Sequence, residues 1–97
     1  MTWLLPVALI PFFGLTLLAC GHPASGAECD ELFAKTAEIA LRAQNISDRK
    51  AVADRIAAAR AAEGEAFTQQ CLGKRITDHA LACVRRALTA EQFDRCL

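Results

Sequence analysis

The chain has no Tyr, and its single Trp is the third residue. Residues 1–27 contain no Asp, Glu, Lys or Arg. No Pro follows Pro23, and only Gly64 and Gly73 lie beyond Gly26. Ser occurs twice, as Ser25 and Ser47. These absences exclude several chemistries. There is no Gly-rich phosphate loop, no HExxH zinc motif and no C-x-x-C redox pair. With 97 residues there is room for one domain, not for a dinucleotide-binding fold or a barrel.

All 11 acidic and 11 basic residues lie between Glu28 and Arg95. The chain is thus an uncharged head and a charged body, residues 28–97. The body's zero net charge argues against nucleic-acid binding. The run Trp3 to Ala19 is apolar, interrupted by Pro6, Pro11 and Gly14, and near the minimum length for a bilayer span. It reads as the core of an N-terminal signal segment. Residues 21–27, Gly-His-Pro-Ala-Ser-Gly-Ala, are small and rich in turn formers. They read as a flexible tether, with His22 as a solvated linker residue.

The end of the apolar run, Leu17-Leu18-Ala19-Cys20, resembles the lipobox of bacterial lipoprotein precursors. The resemblance implies cleavage between Ala19 and Cys20 and a lipid on the Cys20 sulfur, so that residues 1–19 are the signal peptide and 20–27 a lipid-anchored tether. Several acyl chains on one cysteine give stable membrane attachment. Because Gly21, not Asp, follows Cys20, the same resemblance implies the outer membrane of a two-membrane bacterium, facing the periplasm. A plain secretory signal cut after Ala27, with Glu28 opening a freely secreted chain, is the alternative, and a retained membrane helix a third.

Of five cysteines, Cys20 is assigned to the lipid, leaving Cys29, Cys71, Cys83 and Cys96. Four cysteines in an exported domain of 70 residues read as two disulfides. Their wide spacing disfavours a structural zinc site, which usually draws ligands in close pairs. His79 and Cys83, one helical turn apart, are the best metal candidate, and a weak one. No cofactor is expected.

The body is rich in Ala, which favours helix. The pattern predicts an all-α, disulfide-stapled bundle of two longer helices followed by two short C-terminal ones. The first spans about Glu28 to Gln44, with Leu32, Phe33, Ala37, Ile39, Ala40 and Ala43 as its apolar face. Asn45 ends it and Ser47 or Asp48 caps the next. The second spans about Asp48 to Leu72, with Val52, Ile56, Ala59, Ala62, Ala66, Phe67 and Cys71 inward, and Gly73 terminates it. Thr77 caps the third, with Ala80, Leu81, Val84, Ala87 and Leu88 inward. Thr89 caps the fourth, where Thr89 and Gln92 have capping-box spacing. Glu31–Lys35 and Glu38–Arg42 have the favoured i,i+4 order and mark a solvated face.

Cys83 and Cys96 lie at similar distances from the turn near Thr89, so an antiparallel hairpin can bridge them. That leaves Cys29 with Cys71, which are offset along their hairpin by roughly 12 Å at 1.5 Å per residue. The pairing Cys71–Cys83 with Cys29–Cys96 stays open. The stretch from Cys71 to Cys83, followed by Thr89 to Cys96, also resembles small exported proteins of Gram-negative bacteria, myxobacteria-like groups especially, that end in two cysteine-bearing short helices. That resemblance implies export, helices and disulfides, and carries no activity.

No catalytic residue stands out. Ser47 suits a cap, and Asp78 beside His79 is a sequence neighbour whose side chain diverges on a helix. The expected function is a non-catalytic, lipid-anchored envelope protein that binds another envelope protein or supports an assembly. A small-molecule or metal-binding protein is the second reading, and a redox enzyme, which would require one exposed and readily reduced bridge, the third.

Overall fold

A computed structural model describes residues 21–97. The apolar run and Cys20 lie outside the described residues, and so does the expected cleavage site. Four helices are present in residues 21–97: α1 (Gly26–Ala43), α2 (Arg49–Cys71), α3 (Asp78–Arg86) and α4 (Ala90–Cys96). Two short strands, β1 (His22–Pro23) and β2 (Arg75–Ile76), pair antiparallel with His22 opposite Ile76 and Pro23 opposite Arg75. The fold is a small all-α one, with two longer helices and then two short ones, stapled by two disulfides. Among the described residues no helix is long and apolar enough to cross a membrane.

Each helix begins at a side-chain cap. Ser25 and Glu28 form a reciprocal capping box on α1, in which Glu28 N–H donates to Ser25 Oγ at 3.2 Å and Ser25 N–H to Glu28 Oε1 at 2.9 Å. Asp48 accepts from Ala51 N–H at 3.0 Å on α2, Thr77 from Ala80 N–H at 3.0 Å on α3, and Thr89 from Gln92 N–H at 3.2 Å on α4. The Gln92 side chain reaches back one residue beyond the cap, accepting from Leu88 N–H at 2.7 Å. At the end of α1, Asn45 takes φ +65° while Ile46 N–H donates to Leu41 O and Asn45 N–H to Arg42 O. This Schellman arrangement satisfies carbonyls the helix leaves open. After α2, Leu72 and Gly73 make a tight turn with Gly73 at φ +81° and Lys74 N–H bonded to Cys71 O. Such a turn needs a residue that accepts positive φ at its third position, which glycine does without a steric cost.

The core joins Ala24, Cys29, Leu32, Ile76, Leu81 and Val84, with Phe67, Ala80 and Phe93 packed against it. Cys29 is fully buried. Phe33 and Phe67 meet edge to face, with centroids 5.4 Å apart, and carry the core along the α1–α2 hairpin.

Several expectations are corrected. Residues 21–27 are not a flexible tether. They supply β1, the buried Ala24, the Ser25 cap and the first residues of α1. Backbone pairing explains this: Ala24 N–H donates to Lys74 O at 2.7 Å and Gly73 N–H to Ala24 O at 3.1 Å. His22 is no free linker residue, because its Nε2 lies 2.8 Å from Glu28 Oε2. On α1, Ala40 and Ala43 are exposed and Leu41 is buried. On α2, Ala62 and Ala66 face solvent, because this helix packs mainly on α1 and buries a single stripe. Leu88 is half-exposed in the turn between α3 and α4. Glu31 pairs across the fold with Arg85, at 2.8 Å through two parallel bonds, and not with Lys35. Lys35 is mostly buried. Its Nζ donates to Arg85 O and Ala87 O at 3.0 and 3.1 Å, capping the open end of α3, and pairs with Glu38 at 3.4 Å.

Candidate functional site

The four body cysteines are spent as bridges: Cys29 with Cys71, Cα atoms 5.9 Å apart, and Cys83 with Cys96, 5.6 Å apart. The alternative pairing, Cys71–Cys83 with Cys29–Cys96, is therefore not the one present. The offset foreseen for Cys29 and Cys71 does not prevent their bridge, which joins the first turn of α1 to the last residue of α2. The turn at Gly73 then folds the chain back onto β1.

The metal candidate does not assemble. Cys83 Sγ is bonded to Cys96, and His79 is exposed on α3. Among the described residues no group of three or more His, Cys, Asp or Glu side chains is placed to hold a metal ion. Cys20 lies outside the described residues, but the structure on its C-terminal side is defined in detail. Gly21 sits at φ +65°, and a Cβ there would come within 2.4 Å of Ile76 O. Arg75 Nη1 donates to Gly21 O at 3.1 Å. His22 approaches two carboxylates, Glu28 at 2.8 Å and Asp78 at 3.8 Å. The Glu28 carboxyl is held below its ordinary value of 4.5, first by the Ser25 N–H and then by His22. The Glu31 carboxyl is likewise lowered by Arg85, whose own value Glu31 raises.

Two apolar recesses flank this frame. The larger, about 570 Å³, lies where the end of α2, β2, the start of α3 and the end of α4 converge on Leu32 of α1. Its apolar wall includes Leu32, Phe67, Ile76 and Ala80, and Lys74 and Arg75 also line it. One sulfur-bearing residue of each bridge, Cys71 and Cys96, stands in the wall, so both disulfides hold it open. The second, about 510 Å³, lies between α1 and α4 and is lined by Ile39, Ala40, Leu88 and Phe93 among others. Neither recess was legible in the sequence. Both join residues far apart in the chain. Only the lysine-arginine pair after Gly73 marked one of them, and it reads equally well as a helix-dipole partner.

Comparison of the chain with protein-family models, with curated proteins and with solved structures finds no match.

Proposed function

We propose that the protein is a small lipid-anchored protein of the cell envelope, held through Cys20, whose stapled helical domain is a non-catalytic interaction module. The observation that carries the reading is the start of the fold. Ordered pairing begins at Gly21 and His22, immediately after Cys20. Maturation at Cys20 leaves every contact of the domain intact. Cleavage after Ala27 would remove β1, Ala24 and the Ser25 cap, which makes a freely secreted chain starting at Glu28 the less economical alternative. With no slack between anchor and fold, the domain would ride close to the bilayer on its outer-membrane, periplasmic side. The turn bearing the half-exposed Leu72, with Lys74 and Arg75, would lie nearest the lipid. The apolar recess between α1 and α4, with Leu88 on its rim, suits a protein partner. A non-catalytic role fits the fate of the polar groups: the cysteines are bridged, and Ser25, Thr77 and Thr89 are engaged as helix caps.

The test is the intact mass and membrane partition of the full chain made in a Gram-negative host. The expected mass begins at Cys20 and includes acyl chains, and Cys20→Ser moves the protein from the membrane to the soluble fraction. A mass beginning at Glu28, or a Cys20→Ser variant that still partitions with membranes, overturns the reading.

A further inference from the structure

The larger recess has a chemical asymmetry that the proposed anchoring does not use. Leu32, Phe67, Ile76 and Ala80 make an apolar trough, and no Asp or Glu side chain lines it. Lys74 and Arg75 line the same trough and are exposed. Among the described residues neither is in an ion pair, and Arg75 spends one N–H on Gly21 O. An arginine has five donors, so most of its fork is free for an anion. The volume, about 570 Å³, is within the range of sites that bury small ligands. A hydrophobic trough with two cations outside any ion pair and no Asp or Glu side chain is complementary to one long apolar chain that ends in one anion.

We propose that this groove binds a long-chain fatty acid, its alkyl chain along Leu32, Phe67, Ile76 and Ala80 and its carboxylate at Lys74 and Arg75. The apolar wall is favoured for the chain because burial removes hydrocarbon from water. The cations supply charge-assisted hydrogen bonds, which are the stronger kind. The bridges give the groove its shape before the ligand arrives: Cys71 fixes the α2 wall to α1, and Cys96 fixes the α4 wall to α3. The proposal does not rest on lipidation of Cys20, since the groove is built wholly from residues 24–97.

The experiment uses the full chain in phosphatidylcholine vesicles with a photoactivatable palmitate analogue. Adducts are located by peptide mass spectrometry. The expected adducts fall on the segments around Phe67 and from Ile76 to Ala80. Excess palmitate should suppress them and methyl palmitate should not. Lys74→Glu should lower labelling about tenfold, the loss expected for a charge-assisted bond. Ala80→Trp, which fills the trough, should abolish it. Thiol counts showing both bridges intact confirm that each variant is folded, and an adduct yield unchanged in both folded variants overturns the proposal. So do adducts concentrated on the Leu88–Phe93 recess, and equal protection by the methyl ester. Failure here leaves the Cys20 reading standing, because the mass and partition of the chain report on that separately.

Discussion

Gly21 shows how much one residue decides. Its φ of +65° is a conformation that side chains rarely adopt, and the atom a Cβ would strike is backbone, the carbonyl oxygen of Ile76 at 2.4 Å. Neither can yield cheaply. Gly21→Ala should therefore cost about 1–3 kcal/mol. At roughly 4–8 °C per kcal/mol for a domain of this size, the melting temperature should fall visibly in a thermal scan. The lipobox resemblance reads this position through membrane sorting. The fold supplies a second reason for glycine there, so Gly21→Asp should lower stability as well as alter sorting. Glu28 is the other decisive residue, since it closes the capping box and also meets His22. A carboxyl held below 4.5 in the folded state stabilises the fold above that pH. The contribution is lost as pH falls through the folded value. The melting temperature should stay level from neutral pH to about 5 and fall below about 4. Glu28→Gln should remove part of that acid dependence and Glu31→Gln a further part, checked by melts across the pH range.

At the scale of elements, the two bridges do different work. Cys29–Cys71 closes 42 positions and pins the ends of the α1–α2 hairpin, whereas Cys83–Cys96 closes 13 and pins α3 to α4. The chain-entropy relation assigns about 4 kcal/mol to the longer loop and about 3 to the shorter. Cys29 is also fully buried, so a serine there would place a hydroxyl in the core. Cys29→Ser should thus lower the midpoint of denaturant unfolding more than Cys83→Ser. Equal midpoints would contradict this. The elements were largely legible. Asn45, Asp48, Gly73, Thr77 and Thr89 announce helix ends through local chemistry, and the observed bounds lie close to those expected. The start of α1 was misplaced by two residues because Ser25, in a stretch that reads as linker, is its cap. The apolar faces were less legible: an alanine stripe on α2 looks the same in sequence whether a partner covers it or water does. The pairing of Glu31 with Arg85 rather than Lys35 was invisible, because the partners are 54 positions apart.

At the scale of the whole molecule, the β1–β2 pairing ties the first described residues to the loop between the hairpins. A chain lacking residues 1–27 loses that tie, the Ser25 cap and the buried Ala24 together, whereas a chain lacking residues 1–20 keeps them. The shorter chain should melt at a clearly lower temperature than the longer one by circular dichroism. Equal melting would mean that β1 contributes nothing. That comparison also bears on where a signal segment can end without damaging the fold.

The amino-acid sequence alone determined the helices, the caps of the last three, the four-cysteine set and the division into uncharged head and charged body. These depend on near neighbours: a side-chain oxygen and an amide three residues on, a glycine after a helix, charge counted along the chain. Tertiary structure alone decided which recesses form, which cations stand beside apolar walls, and that the stretch after Cys20 belongs to the fold. Each of these depends on residues brought together from distant positions. The β1–β2 pairing, with only two residues in each strand, has too little local pattern to signal itself. It is made by the approach of Ala24 to Lys74, and that approach exists only once the hairpins have packed.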